Sequence, residues 1–572
     1  MSLENVQVIV GIDFGTTFSG FSYCHIVSRD NIVTNDKWDE ITGQFKTNTV
    51  LQYDNEFDEV IKWGIPALAK RQGRRNDNTE TQPVELFKLC LGSLEENLKP
   101  KLPVNYKKAI TDYLREMVKL IKEKFECHWE DLNIFEEVLF VLTVPAEYSE
   151  KEKAIMRDCA YKAGLINVKS TDLLQFTTEP EAAAVYCMEH CLKEHDLGDT
   201  DSTETTFMIV DCGGGTVDLT TRKIVGRSVG EITERSGDYC GSSFVDQAFL
   251  EHLKTILGHV AIDKLRENHY KQLQYMVQKF CRQAKFLFTG DDKKFHYELD
   301  ILDTARDLQK YVTGDAEELM ESNQWLIDIK FNEIKSMFDP VVKRILKLIE
   351  VQLENCNKEC SIMFLVGGFS QSIYLQKKIR EKFKDVVKII TLPTHPIATV
   401  VRGATLYGLG LYDNVNNIDS ENVRLKLTTR KLKFTYGIKI FDTWKKSDPI
   451  ERKTLKGEII RFFPIEGATK GKEVKIDEDI IVNDLLGPNN PFQTAATFHV
   501  YYTRKADAKY CDEPGMEYLG KLKINLPDVH LGYDRPLKFG LSFGKMEIKA
   551  TARNTKNGQS YLTTFEIDIE DD

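Results

Sequence analysis

Two short segments of this chain place an acid, glycines and hydroxyl side chains directly after a run of mostly apolar residues. The first is Asp13-Phe14-Gly15-Thr16-Thr17, and the second is Asp211-Cys212-Gly213-Gly214-Gly215-Thr216. A turn of this composition directs successive backbone N–H groups to one point, which suits phosphate oxygens, and glycine lets a phosphate approach the main chain. Two such turns are able to hold one triphosphate from both sides. One turn alone is a weak signal, because many hairpins end in Asp-Gly for conformational reasons.

The acids of the two turns create a need for positive charge. Asp13 and Asp211 are expected to point into one cleft, where two like charges are hard to keep without a cation. Mg²⁺ keeps most of its water ligands in proteins and is the natural counter-ion. The pair therefore predicts a Mg²⁺ site that is held through water.

Both turns lie in an element that occurs twice. Residues 6–12 and 18–24 predict a hairpin, and residues 206–210 and 217–225 repeat it. Around the two copies, helices are expected at 107–125, 149–163, 372–382 and 398–411, and strands at 137–144 and 362–366. Strands that alternate with helices indicate a largely parallel, covered sheet in each half.

The pattern changes after the last of these helices. Residues 413–422 are polar and rich in Asn, which is typical of a linker, and short strands are expected at 425–440, 458–463, 497–503, 518–524, 537–543 and 546–553. We therefore predict an α/β module at 1–412, with lobes of about 1–200 and 201–412, and an all-β domain at 423–572. The polar linker predicts few contacts across the boundary, so the β domain is expected to fold alone.

Composition restricts the partners. The net charge is -11, and no basic stretch interleaves with aromatic residues, so nucleic acid is not an expected partner. The twelve Cys have no regular spacing and no leader-like segment opens the chain, which favours the reducing cytoplasm, with the nucleus as a second location. The apolar runs are far shorter than the ~20 residues of a membrane span.

Five segments together resemble a known family. They are Gly11-Ile12-Asp13-Phe14-Gly15-Thr16-Thr17-Phe18-Ser19, Thr143-Val144-Pro145-Ala146, Glu179-Pro180-Glu181-Ala182-Ala183-Ala184, Asp211-Cys212-Gly213-Gly214-Gly215-Thr216-Val217-Asp218 and Val366-Gly367-Gly368-Phe369-Ser370. Their order resembles that of the seventy-kilodalton heat-shock chaperones over the whole N-terminal module. The resemblance implies the two-lobed, actin-like (ribonuclease-H-like) ATPase fold, which closes over ATP or ADP with Mg²⁺. The chain is most similar to the divergent twelfth-member branch of this family.

The resemblance also implies roles for individual residues. Lys88, Glu179, Asp211 and Asp218 correspond to the residues that act on the γ-phosphate, the attacking water and hydrated Mg²⁺, and Asp13 shares the metal site with Asp211. The nucleotide-binding set comprises Asp13, Gly15, Thr16, Thr17, Phe18, Gly213, Gly214, Gly215, Thr216, Gly241, Lys285, Thr289, Gly367, Gly368 and Phe369. The alternative for Lys88 is an ordinary surface lysine, since the chain has 77 basic residues.

The nucleoside side departs from the family pattern. Arg282 stands where a Glu is usual, and Phe286 replaces an Arg that stacks on the purine. Gln371 replaces another Arg, and Ile397 takes a place that is usually acidic. These changes predict weaker and less adenine-selective binding, with phosphate recognition retained.

A separate group of Cys and His residues has two interpretations. Cys187, His190, Cys191 and His195 share one face if the helix beginning near Glu181 continues, and they are zinc-ligand types. Closed zinc sites usually draw ligands from different elements, so helix packing is the favoured interpretation. Cys356 and Cys360 are interpreted in the same way.

The later strands of the C-terminal region resemble the peptide-binding β-sandwich of the chaperones. This implies a protein or peptide client on that domain, together with co-chaperones. The alternative is a β-sandwich without a client groove. The chain ends at Asp572, so no helical lid is expected, and the segment 413–422 lacks the apolar linker of the family.

Three functions are compatible with these features. The first is a slowly hydrolysing, ATP-dependent chaperone-like protein, in which closure of the lobes alters protein binding by the β domain. The second is a non-catalytic adaptor that nucleotide stabilises. The third is a small-molecule kinase, which the C-terminal β domain disfavours.

Overall fold

The computed structural model describes residues 3–39, 41–70, 81–194, 205–225, 228–356, 358–416, 426–476, 478–482, 486–543 and 546–564. The first large sheet has the order Leu174–Thr178, Val138–Val144, Val8–Phe14, Phe18–His25 and Val33–Thr34, and Thr47–Asn48 also pairs with Phe18–His25. The first three of these strands are parallel, and Val8–Phe14 forms an antiparallel hairpin with Phe18–His25. The predicted first hairpin is confirmed.

The second large sheet repeats this arrangement. Its order is Ile389–Thr391, Ile362–Val366, Thr205–Cys212, Val217–Val225, Ser228–Glu231 and Lys426–Leu427, and Ser236–Asp238 pairs with Val217–Val225. Thr205–Cys212 is parallel to Ile362–Val366 and antiparallel to Val217–Val225. The predicted repeat of one hairpin is therefore confirmed, and Asp13 and Asp211 lie near equivalent strand ends.

Eleven α-helices surround the sheets in the described part of the chain: Tyr106–Glu126, Glu150–Lys162, Glu179–Glu194, Ser243–Leu257, His259–Asn268, Tyr270–Phe280, Ile301–Thr304, Asp315–Ser322, Phe331–Cys356, Ile373–Phe383 and Thr399–Val415. The helix Glu150–Lys162 begins as the sequence indicates, because Ser149 and Glu152 form a capping box. The helix that was expected at 398–411 continues to Val415, so the predicted linker begins inside a helix.

Two helices lie between the large sheets and join them in one core. Glu179–Glu194 and Thr399–Val415 contribute Ala182, Ala183, Ala404 and Leu409 to a cluster that contains residues of both sheets. The helices cross closely, since a Cβ on Gly403 would stand 1.8 Å from the carbonyl oxygen of Ala182. Glycine is therefore required at this crossing.

Three small sheets complete the N-terminal module. They are Val60–Trp63 with Val50–Tyr53 and Val84–Glu85, Lys37–Trp38 with Ile41–Thr42, and His296–Asp300 with Leu326–Lys330. Among the described residues, no helix has the length and apolar character that a membrane span needs.

The C-terminal region is built from antiparallel strands. One sheet has the order Glu458–Pro464, Thr435–Thr443, Ala495–Thr503 and Met516–Asn525, and another has the order Asp479–Ile481, Leu537–Ser542, Lys549–Asn554 and Ser560–Thr564. Side chains from both sheets share one hydrophobic cluster. The prediction of a single strand at 425–440 is wrong. The chain forms Lys426–Leu427, Thr429–Lys431, which pairs with Glu473–Lys475, and Thr435–Thr443.

Many contacts join this region to the N-terminal module. Lys426–Leu427 extends the second large sheet by pairing with Ser228–Glu231. Ion pairs connect Arg157 with Glu547 at 2.6 Å and Lys549 with Asp172 at 2.9 Å, and Met546 packs in the core of the first lobe. The prediction of few contacts across the boundary is wrong. Part of the predicted linker, residues 417–422, lies outside the described residues.

Candidate functional site

The two glycine-containing turns lie directly against each other. A Cβ on Gly214 would stand 2.2 Å from Thr17 Oγ1, and one on Gly215 would stand 2.6 Å from Thr16 Oγ1. These distances are shorter than any ordinary contact, so only glycine allows the turns of the two halves to meet. The sequence predicted that the two turns lie together, and the structure has them in contact.

Hydrogen bonds fix the shape of each turn. Ser19 Oγ accepts from the Gly15 N–H at 3.1 Å, and the Thr49 hydroxyl donates to the Gly15 carbonyl at 2.8 Å. In the second turn, the Gly213 N–H donates to the Thr216 carbonyl at 3.0 Å. Both turns therefore have hydrogen bonds of their own that support their shape.

The segment before the helix Ser243–Leu257 supports the second turn from behind. The N–H groups of Gly241, Ser242 and Ser243 donate to the carbonyls of Gly215, Gly213 and Gly214. Gly241 has no room for a side chain, because a Cβ there would stand 2.4 Å from the Gly214 oxygen. The backbone oxygens of the turn are thereby turned away from the facing lobe.

Four buried carboxyl groups converge beside the turns: Asp13, Glu179, Asp211 and Asp218. Burial raises the pKa of Asp211, and repulsion from Glu179, Asp218 and Asp13 raises it further. Burial and the charge of Glu179 also raise the pKa of Asp218, although this carboxylate accepts from the Ala146 N–H at 2.8 Å. Such shifts are expected where several like charges share a buried site.

Lys88 lies inside this cluster. Its ammonium donates to Glu179 Oε1 at 2.8 Å and to the Phe14 carbonyl at 2.5 Å, and its side chain is 4% exposed. The alternative of an ordinary surface lysine is therefore wrong. Leu86, two residues earlier, has a φ of +61°, which for a residue with a branched side chain indicates backbone strain next to a functional group.

A second lysine lies in the site that the sequence did not indicate. Lys46 Nζ is 2.5 Å from Asp13 Oδ2, and its side chain is 10% exposed. The Thr143 hydroxyl donates to the other oxygen of Asp13 at 3.3 Å. Lys46 belongs to none of the family segments, so no motif could have found it.

The third glycine segment borders the same acids. Gly367 follows the strand Ile362–Val366 with a φ of +82°, and a Cβ there would stand 2.3 Å from Asp211 Oδ1. Phe369 is buried in the core of the second lobe, and a Cβ on Gly368 would meet no atom within 4 Å. Gly367 is thus placed at the site, whereas Phe369 supports it from the core.

Of the residues predicted to contact the nucleoside, one is buried and the others are exposed or half-buried. Lys285 is buried, and its ammonium donates to the Ser242 carbonyl and to Asp246 Oδ1, both at 2.7 Å. Arg282 and Phe286 are exposed and Thr289 is half-buried. Lys285 ends a π-helical segment, Cys281–Lys285, that continues the helix Tyr270–Phe280, a local form that is common at functional sites. Phe18, another of the predicted nucleotide-binding residues, is 37% exposed.

The charges allow a test of the predicted Mg²⁺ site. Glu179 is paired with Lys88 and Asp13 with Lys46, so Asp211 and Asp218 are the two acids of this cluster that are not paired with a lysine. These two carboxylates fit a hydrated divalent cation. Asp13, the other predicted metal residue, is already neutralised by Lys46.

The group of Cys and His residues shows ordinary packing where it is described. Cys187 is buried in the core between the sheets, and His190 stacks on Tyr186 with ring centroids 4.5 Å apart. His195 and the side chain of Cys191 lie outside the described residues. Within the described ranges, no group of three or more His, Cys, Asp or Glu could hold a metal ion directly. Cys356 and Cys360 are also buried.

Comparison with known proteins gives a result that is consistent with the resemblance found in the sequence. A family described as a domain of unknown function (DUF8340) matches residues 199–392. Human heat shock 70 kDa protein 12B is 23% identical over 98% of this chain and 91% of its own length, and human heat shock 70 kDa protein 12A is 22% identical over 97% and 91%. The chaperone protein HscA homolog of Acinetobacter baumannii is 27% identical over 66% of this chain and 54% of its own length.

The match to 12A and 12B runs through the C-terminal region as well as the two lobes. Similarity to these proteins implies the actin-like ATPase fold for the mixed α/β module. Over nearly its whole length the chain is therefore similar to proteins of the twelfth-member branch of the seventy-kilodalton heat-shock family, and the predicted resemblance is confirmed.

Proposed function

We propose that the chain binds ATP or ADP with Mg²⁺ between its lobes, hydrolyses ATP slowly, and uses closure of the lobes to alter protein or peptide binding by the C-terminal region. The observation that carries this proposal is the meeting of the two glycine turns beside a buried cluster of acids and lysines. Rigid backbone turns at the ends of strands are suited to polyphosphate. We place this activity in the cytoplasm.

The residues have separable tasks in hydrolysis. The turns hold the phosphates, which sets affinity. The Lys88 ammonium, held by Glu179, offsets charge on the transferring phosphoryl group, and Glu179, Asp211 and Asp218 orient the attacking water. Mg²⁺, when bound with the nucleotide, supplies further charge neutralisation. Positioning and electrostatics of this kind carry most phosphoryl transfer.

Two short connections lead from this site to the C-terminal region. Glu179 begins the helix Glu179–Glu194, and Glu181 accepts from Arg430 Nη2 at 3.0 Å, with both side chains almost fully buried. The Ala146 N–H donates to Asp218, while the Ala146 carbonyl accepts from Lys433 Nζ at 2.8 Å. A shift of Glu179 or Asp218 on nucleotide binding would therefore move Arg430 and Lys433.

Burial raises the pKa of Glu181, but the charges of Arg430, Arg222 and Arg235 outweigh burial and lower it to about 2. Glu181 is therefore ionised at neutral pH, and its link to Arg430 is a charge-assisted pair in a dry environment. Such a pair is costly to break. It makes the link stiff enough to transmit a movement of the helix.

The C-terminal region is proposed to be a β-sandwich that binds an extended segment of another protein. Its two four-stranded sheets share one core, and Phe441 and Tyr518, on two strands of one of these sheets, are about half exposed. The adaptor remains the second candidate, because the predicted nucleoside contacts Arg282 and Phe286 depart from the family pattern.

Calorimetric titration with ATP, ADP and GTP in Mg²⁺, followed by single-turnover hydrolysis, tests the proposal. We expect ATP binding and slow hydrolysis above buffer. Binding without hydrolysis would favour the adaptor, and the absence of any binding would remove nucleotide from the account.

A further inference from the structure

We propose that Lys46 is a built-in cation of the phosphate site, which takes the place of one Mg²⁺ contact at Asp13 and makes nucleotide binding less dependent on Mg²⁺. The inference rests on the proposed nucleotide binding and goes beyond it, because it assigns a role to a residue outside all the family segments. It also reassigns Asp13, which the sequence predicted to hold Mg²⁺ through water.

The first support is geometric. Lys46 Nζ lies 2.5 Å from Asp13 Oδ2, in a site where both side chains are at least nine-tenths buried. Asp13 lies near the end of the strand Val8–Phe14, just before the turn whose Thr16 and Thr17 face Gly215 and Gly214. The ammonium therefore lies where a cation shared by Asp13 and a phosphate would be needed.

The second support is that the position of Lys46 is fixed by its surroundings. The next residues, Thr47–Asn48, pair with Phe18 and Ser19 in the first large sheet. Gly20 leaves room for the segment, since a Cβ there would stand 2.6 Å from the Phe45 oxygen and 3.0 Å from Lys46 Cγ. Phe45 is itself held between Arg402 and His395. A flexible surface lysine would have no such support.

The third support is the charge distribution. Lys88 pairs with Glu179 and Lys46 with Asp13, which leaves Asp211 and Asp218 for a hydrated cation. A metal ion that used Asp13 as well would have to displace an ammonium from a buried, charge-assisted contact, which is costly. The chain thus supplies from its own side chain part of the positive charge that Mg²⁺ would otherwise provide.

The test measures ATP affinity with and without Mg²⁺ from the fluorescence of a labelled ATP. The proteins compared are wild type, Lys46→Gln, Lys46→Arg and the control Lys37→Gln. Lys37 is an exposed lysine of the same lobe. In EDTA we expect Lys46→Gln to bind about tenfold to a hundredfold more weakly than wild type, the value of one lost charge-assisted contact. Excess Mg²⁺ should restore most of this loss, because Asp13 becomes available to the metal, and Lys46→Arg and Lys37→Gln should resemble wild type.

Separate experimental controls distinguish a loss of folding from a loss of nucleotide binding. The double variant Asp13→Asn/Lys46→Gln removes both charges and should melt near wild type even if Lys46→Gln alone does not. If Lys46→Gln and wild type lose the same affinity in EDTA, Lys46 is only a structural partner of Asp13 and the inference is wrong. If wild type binds no ATP even in Mg²⁺, the proposed function fails and the inference fails with it.

Discussion

At the scale of single residues, the site depends on glycines that let two turns touch. Gly214 lies against Thr17 and Gly215 against Thr16 across the boundary between the lobes. A methyl group at either glycine must push the facing threonine away. The proposed phosphate grip should therefore be sensitive to very small substitutions.

We expect Gly214→Ala to lower ATP affinity by at least about tenfold, because overpacking costs on the order of 1–3 kcal/mol and moves the turns apart. Calorimetric titration measures this change. Gly410→Ala is the matched control, since an added Cβ there meets no atom within 4 Å. Equal affinities in the two variants would show that the turns do not form the phosphate grip.

Lys88 and Glu179 should affect the rate more than the affinity. If they act on charge and water in the transition state, Lys88→Ala and Glu179→Gln should each slow hydrolysis by on the order of a hundredfold while ATP affinity changes much less. Single-turnover hydrolysis and a binding titration on the same samples separate the two effects. Hydrolysis at the wild-type rate by Lys88→Ala would leave Lys88 with no role in turnover.

At the scale of secondary structure, the helix Glu179–Glu194 links the site to the C-terminal region. Its residue Glu181 is surrounded by Arg430, Arg222 and Arg235. Arg222 is fully buried and lies 3.5 Å from Glu231 and 3.6 Å from Glu181. Removing one of the charges leaves the others poorly compensated in a dry environment.

We expect Arg430→Met to lower the free energy of unfolding by about 3–5 kcal/mol, as is typical when one partner of a buried ion pair is removed. Chemical denaturation measures this loss. Arg504→Met is the control, because Arg504 also reaches Glu147 of the first lobe but is 63% exposed, and exposed pairs contribute about 0–1 kcal/mol. Similar losses in both variants would contradict the importance of the buried link.

Much of the element pattern could be predicted because it is local. The strand Ile362–Val366 and the helix Glu150–Lys162 follow from an apolar run and a capping box. The break in the predicted strand at 425–440 could not be predicted, because Lys426–Leu427 pairs with a strand from far earlier in the chain. Its partner is set by tertiary contacts and not by the residues of the segment.

The residues of the site also divide into those that the sequence identifies and those that it does not. The acids and glycines stand in recognisable segments, and Lys88 was placed by resemblance. Lys46 and Arg430 could not be found, since each is a single basic residue that becomes important only when folding buries it beside Asp13 or Glu181. Burial of a charge is a property of the packed molecule.

At the scale of the whole molecule, the C-terminal region is attached to the lobes over a broad surface. Arg157, Lys153 and Asp172 of the first lobe contact Glu547, Met546 and Lys549. A cavity of about 80 Å³ lies at this junction, lined by residues of both lobes and of the C-terminal region, among them Tyr148, Arg235 and Tyr436.

The central claim is that nucleotide in the cleft alters the C-terminal region through Glu181, Arg430, Ala146 and Lys433. Hydrogen–deuterium exchange of the intact chain, with and without saturating ATP and Mg²⁺, tests it most directly. We predict that ATP changes the protection of backbone amides at residues 429–436 as well as in the two glycine turns. Arg430→Met should keep the change in the turns but reduce it at 429–436, where the contact between Ala146 and Lys433 remains. Protection at 429–436 that is unaltered by ATP in wild type, while the turns respond, would contradict the account.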